Sequence, residues 1–269
     1  MRLDRCFHFH NFRELATRRR LPDPLFDYID GAADDEISKR GNTMSFEDCD
    51  LLPKVLQGAG NVDLSVSVMS QKLALPFYRS PTALQRLFHH DGERAVAASA
   101  AMFGTIFGVS SLGTVSLEGL RKAHDTPQVY QFYFHKDRGL NRAMMQRAKE
   151  AEIQVMMLTV DSITSGNRER DLRTGFSIPL RLSVGGMLQF AMGPRWGLNY
   201  VMHERFCLPQ FEGHLETDRR YDHGRRYFKE MLDPTMNWSD VAEMVKLWDG
   251  QFARYKSRRQ PATDWIYRQ

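Results

Sequence analysis

The stretch Ile153-Gln-Val-Met-Met-Leu-Thr-Val-Asp161 constrains the fold more than any other part of the chain. A continuous apolar run of this length reads as a strand buried on both faces, which is the habit of parallel sheets. It ends on Thr159 and Asp161, and the chain then breaks at Ser165-Gly166 into the charged Arg168-Glu-Arg-Asp171. Polar and charged groups gathered where a buried strand stops read as a site, because α/β barrels build theirs on the loops at strand C-termini.

The run is one of a series. Leu75 to Ser80 precedes Pro81-Thr82-Ala83, and an Ala-rich helix is expected over Gly92 to Ala101. Gly104 to Ser110 is the next run, followed by a helix from Ser116, a suitable N-cap, to Ala123. Gln128 to Phe134 is rich in β-formers. Gly139 to Ala151 places Leu140, Met144, Met145 and Ala148 on one helical face. Strand and helix alternate with a unit of roughly 25 to 30 residues, the βαβ signature of a parallel sheet. Each run ends in hydrogen-bonding residues: Ser80, Ser110, Gln131 with Tyr133, and Thr159 with Asp161. Such groups at one end of every strand favour a barrel with a site at its mouth over an open sheet, which would more often carry a Gly-rich turn after its first strand. Neither that turn nor a Walker loop occurs.

Short helices are expected before the first run. Asn11 with Glu14 resembles a capping box, Asp23-Pro24 an N-cap with proline in the first turn, and Asp34 to Glu36 the acidic start of a third helix. The region to about Gly60 reads as a helical cap. Thr174 to about Lys229 reads as a long insertion with one or two amphipathic helices, suited to a lid, an oligomer contact, a membrane-surface patch or a packed excursion. Asn237-Trp-Ser-Asp240 opens a helix that puts Val241, Met244, Val245 and Trp248 on one face. The rhythm then demands a fifth strand. Gln251 to Gln260 is too charged to be buried on both faces and is not expected to supply one.

With 269 residues, 42% hydrophobic and 26% charged, the chain can bury a substantial core. No apolar run approaches the roughly eighteen residues of a membrane span, and no secretory leader is visible. Cys6, Cys49 and Cys207 are sparse and odd in number, which suits a reducing compartment and makes no metal motif. The nine histidines show no ligand spacing, and His89-His90 read as solvated. Net charge is +4, without a nucleic-acid motif, so no nucleic-acid partner is expected.

Several motifs resemble those of the FMN-dependent α-hydroxy acid dehydrogenase and oxidase family, which includes L-lactate dehydrogenase, glycolate oxidase and mandelate dehydrogenase. They are Asp27-Tyr-Ile-Asp-Gly-Ala-Ala-Asp-Asp-Glu36, Ser80-Pro-Thr-Ala83, Ser110-Ser111, Gln131-x-Tyr133, Leu158-Thr-Val-Asp161 and Gly166 to Phe176, in family order. The resemblance implies a (βα)8 TIM-type barrel, of which this chain carries about the first four βα units and an N-terminal helical cap. It implies FMN as cofactor and a small 2-hydroxy acid as substrate. Pro81, Thr82 and Ala83 would lie along the flavin ring, and Ser110, Gln131 and Thr159 would hydrogen-bond its edge. Tyr28 and Tyr133 would hold the substrate, and Arg168 would pair with its carboxylate. Tyr133 and Asp161 are the candidate catalytic groups, Asp161 by supporting its neighbours. Taken singly, Ser110 or Thr159 is an ordinary strand-end residue and Tyr28 an ordinary packing residue. No metal is implied.

The departures are equally specific. The family's Lys-Gly strand, its Ser-Asn-His-Gly-Gly-Arg strand end and its Asp-Gly-Gly phosphate loop have no counterpart in these residues. The His would be the base and the Lys would stabilise reduced flavin. The expected organisation is therefore a C-terminally truncated dehydrogenase domain over 1–250 and a divergent tail over 251–269, the mark of a frameshift or truncation. Activity is expected to be impaired, the alternative being a non-catalytic remnant that binds or assembles. A complete barrel would be expected to form a homo-oligomer, in the cytoplasm or peripherally on the inner membrane.

Overall fold

A computed structural model describes residues 3–19, 21–58, 60–162, 166–176, 193–212, 230–255 and 266–267. The chain divides into two compact units, Met1–Asp63 with Gly166–Met202, and Leu64–Ser165 with His203–Gln269.

The second unit is an α/β sheet. A hairpin of β1 (Val66–Val68) and β2 (Gln71–Leu73) turns at Met69 and Ser70, both at positive φ, as a two-residue hairpin turn of primed type requires. Four parallel strands follow in chain order: β3 (Phe107–Ser110), β4 (Gln128–Tyr133), β5 (Val155–Thr159) and β6 (Gln251–Tyr255), with β7 (Ile266–Tyr267) antiparallel on the outer edge. Every residue of β3 and β5 is buried, as their continuous apolar sequence requires. Helices Glu93–Met102, Leu117–Ala123, Arg138–Glu150 and Trp238–Trp248 lie in the sequence around these strands. Their apolar faces join Phe107, Val109, Tyr130, Phe132, Met156, Leu158 and Phe252 in the main core.

The alternate residues of the strands face the other way. There Ile106, Val129, Val155, Met157 and Ala253 pack with Leu73 and the hairpin. A cavity of about 230 Å³ lies on this face, lined by Val68, Met69, Leu73, Phe77, Ile106 and Met157 among others. This is the βα arrangement of the first part of a (βα)8 barrel.

Two strand expectations are corrected. Leu75 to Ser80 forms no strand; it contributes one parallel bridge, Arg79 to Phe107. Pro76 lies within it and Pro81 follows it, neither with an N–H to donate, and Phe77 N–H turns back to Leu75 O at 2.9 Å, so the pairing stays at one bridge. Gln251 to Tyr255, judged too charged, is a strand. Phe252 and Ala253 are buried, and the Arg254 guanidinium lies 4.7 Å over the Trp238 ring, so the charge is covered by an aromatic face while the stem packs.

Helix starts also moved. The first helix, Phe9–Arg19, begins before Asn11, whose carboxamide instead accepts from Phe7 N–H at 3.1 Å. Asp23 is the first residue of the Asp23–Asp30 helix, and Pro22 takes the N-cap position without a side-chain capping bond. Ser116 caps as expected, accepting from Gly119 N–H, and Asn237 with Asp240 forms the full capping box. Of the long insertion, the described residues show a helix at Pro194–Met202; the rest of the expectation falls on 177–192 and 213–229, outside the described residues. Among the described residues no helix is long and apolar enough to cross a membrane.

Candidate active site

Side chains on one face of a parallel sheet fall into register, so the polar residues at the strand ends become neighbours. Ser110 pairs with Gln131 across β3 and β4, and Tyr133 with Thr159 across β4 and β5. Ser110 Oγ donates to Gln131 Oε1 at 3.1 Å, and Gln131 Nε2 donates to Thr159 Oγ1 at 2.8 Å. All three residues are buried. Beside them Ser111 Oγ is buried without a hydrogen-bond partner. A buried hydroxyl left unpaired is costly and calls for a ligand or water.

The Pro81–Ala83 loop is brought to this end by Gly108. A Cβ there would meet Arg79 O and Pro81 N, both at 2.9 Å, so only glycine lets the loop approach β3 so closely. Leu84 N–H donates to Leu112 O at 3.1 Å and fixes the loop against the turn after β3. Asp161 follows β5 and is half-buried, as is Tyr133.

The remaining predicted residues, Tyr28 and Arg168, come together within the other unit. The Arg168 guanidinium lies 5.1 Å from the centre of the Tyr28 ring, donates to Tyr28 O, and bonds Asp171 at 2.6 Å. Tyr28 stacks on Phe176 with ring centres 4.4 Å apart. Burial pushes the Tyr28 phenol above its ordinary value, against the pull of Arg168 in the other direction. Arg168 thus already has a carboxylate partner, which orients it.

Sequence reasoning missed the ionic cluster that supports this pair. Arg170 bonds Asp30 at 3.0 Å and Glu36 at 2.8 Å, while Arg13 and Lys39 also hold Asp30. The hydrogen bond from Arg13, with Lys39 acting in the same sense, holds the Asp30 carboxyl well below the usual carboxylate range. The one available signal was the acidic Asp27 to Glu36 segment answering the basic Arg168 to Arg173 segment. Also missed was Glu93, fully buried, which accepts from Thr114 N–H at 2.8 Å and Thr114 Oγ1 at 2.6 Å and so anchors the loop beyond β3.

A parallel α/β sheet with a buried hydrogen-bonding row at its strand ends defines the class. Residues 17–253 match the model of the FMN-dependent dehydrogenases, and the chain belongs to that family. It is 33% identical over 239 residues to an L-lactate dehydrogenase of Pectobacterium atrosepticum, covering 87% of this chain and 61% of that protein. It is 34% identical to an L-lactate oxidase of a Nostoc species, covering 87% and 60%. The fold superposes on a monotopic membrane protein, (S)-mandelate dehydrogenase, with a TM-score of 0.82 at 26% identity, over 91% of this chain and 65% of that one. The chain spans about 60% of the length of the curated relatives it matches.

The family cofactor is FMN. The residues fit its ring: the Ser110–Gln131–Thr159 row and the unpartnered Ser111 hydroxyl offer the polar contacts a flavin edge needs. The motif expected to take its phosphate is not among the 269 residues.

Proposed function

We propose that this chain carries the flavin-ring half of a site for oxidising a small, lactate-like L-2-hydroxy acid to the 2-keto acid. The observation that carries the proposal is the hydrogen-bonded row Ser110–Gln131–Thr159 at the ends of three adjacent parallel strands. Bound FMN would supply the two-electron acceptor. Ser110, Gln131 and Thr159 orient one another and would hold the ring edge, with Pro81, Thr82 and Ala83 alongside it. Tyr28, Tyr133 and Arg168 would bind the substrate, Arg168 through its carboxylate, and Asp161 would steady the strand-end groups.

The proton-accepting His, the flavin-facing Lys and the phosphate loops of the family pattern are not among these residues. We therefore assign a dehydrogenase domain to 1–250 and a divergent tail to 251–269, of which the first residues, Gln251–Tyr255, still join the sheet as β6, and expect these 269 residues alone to turn over poorly or not at all. The same domain in complete form would act as a homo-oligomer in the cytoplasm. Exposed Leu198, Val201 and Met202 on the Pro194–Met202 helix support a peripheral contact with the inner membrane.

The test is to add FMN and then L-lactate to the purified chain without oxygen. Flavin that binds and is not bleached by L-lactate is the expected result. Bleaching at rates typical of the family would refute the assignment of the missing base. A colourless chain that only assembles with itself would favour a binding remnant.

A further inference from the structure

We propose that His89, His90 and Asp91 form a binding site for a first-row divalent cation of the kind imidazole prefers, such as Zn²⁺ or Ni²⁺. Side chains of consecutive residues ordinarily diverge. Here a tight turn gathers them: His89 N–H donates to Gln85 O at 3.2 Å and Gly92 N–H donates to His89 O at 3.0 Å. The turn is fixed at its end by Gly92, at φ +47°, whose Cβ position is blocked by Arg86 Cγ at 2.5 Å.

Within the turn the His89 and His90 ring centres are 4.3 Å apart. His89 Nδ1 lies 3.6 Å from one Asp91 carboxylate oxygen, and His90 Nε2 lies 3.6 Å from the other. One donor atom from each residue falls within 4.8 Å of the other two. Metal–ligand bonds are about 2.0–2.2 Å long, and coordination through His89 Nδ1 would replace the 3.3 Å hydrogen bond that it accepts from Asp91 N–H. Two imidazoles and one carboxylate suit Zn²⁺, Ni²⁺ or Fe²⁺ and leave coordination positions for water.

A second element orients the set. His203 stacks on His90 with ring centres 3.8 Å apart and planes at 25°. The next residue, Glu204, is tied to Arg94 at 2.8 Å. The stack fixes the His90 ring and its Nδ1 is buried without a partner, which leaves Nε2 as the nitrogen facing Asp91. A cation here would pin the loop that runs from Pro81–Ala83 into the Glu93–Met102 helix. The proposal is independent of the flavin reading.

The experiment is Zn²⁺ titration of the untagged 269-residue chain against a chromophoric chelator. The expected result is one tightly bound equivalent, weakened by about a hundredfold or more in His89→Ala and in His90→Ala, since even outer partners of metal ligands are worth about 10- to 100-fold. His8 and His10 also lie close, with ring centres 5.8 Å apart, so His10→Ala is the control and should leave the affinity unchanged. No stoichiometric binding, binding indifferent to both His89→Ala and His90→Ala, or binding lost in His10→Ala would each overturn the proposal. Should His90→Ala fail to fold by circular dichroism, His89→Ala, with a side chain 60% exposed, gives the same reading.

Discussion

Gln131 donates through Nε2 to Thr159 Oγ1 at 2.8 Å while its Oε1 accepts from Ser110. One carboxamide therefore links the ends of three strands, and it can do so only because parallel register places these residues on one face. Gln131→Leu keeps the volume and removes both bonds. Thr159 Oγ1 loses the Gln131 donor and Ser110 Oγ loses its acceptor while keeping the bond from Leu112 N–H at 3.2 Å, and the expected cost is about 1–3 kcal/mol in urea unfolding.

Gly108→Ala tests the approach of the Pro81–Ala83 loop. The new methyl would meet the backbone of Arg79 and Pro81, and neither can move aside as a flexible side chain would. The expected loss is about 1–3 kcal/mol by overpacking, with flavin-ring affinity falling as the loop shifts. Unchanged stability would mean the loop is not held against β3.

His135 is fully buried among Phe132 and Phe211, and burial pushes it down to about 4 although Asn141 accepts its hydrogen bond. In the unfolded chain it titrates near about 6.5. Between these values the unfolded state binds more protons, so stability should fall on acidification from about pH 6.5 to 4. NMR titration should show the His135 ring unprotonated at pH 5.5; a midpoint near 6.5 would contradict the burial.

Asp30 acts lower on the pH scale. Its folded pKa is depressed by Arg13 and Lys39, so its contribution is present above the ordinary carboxylate value of about 3.9 and is lost as pH falls below it. Asp30→Asn should flatten the stability profile below about pH 4 and leave the His135 window untouched. An unchanged acid limb would show that the cluster contributes nothing.

The strands were legible where sequence alone determines burial, as at Val155–Thr159, and so were caps written within four residues, as at Ser116 and Asn237–Asp240. Gln251–Tyr255 was not, because Arg254 is tolerated only through Trp238, a neighbour made by folding. The polar strand ends announced Ser110, Gln131 and Thr159 as a set, though not the hydrogen bonds that join them. Tyr28 came from family resemblance alone, while Arg168 stood in a charged stretch after a buried strand and took its carboxylate role from the resemblance. The cluster joining Asp30 to Arg170 showed only as opposite charge in two distant segments, and the pair Glu93 with Thr114 not at all, because both connect residues distant in sequence.

The most direct test of the ring-binding row is fluorescence titration of the chain with lumiflavin, riboflavin and FMN, beside Gln131→Leu and Thr159→Val. On the proposed reading the ring contacts lie in this row and the phosphate motif is not among the 269 residues, so the three flavins should bind with similar affinity and both variants should weaken all three. Variants that bind all three flavins as the parent does would contradict the assignment of this row to the flavin ring, and FMN binding far tighter than riboflavin would contradict the absence of a phosphate site.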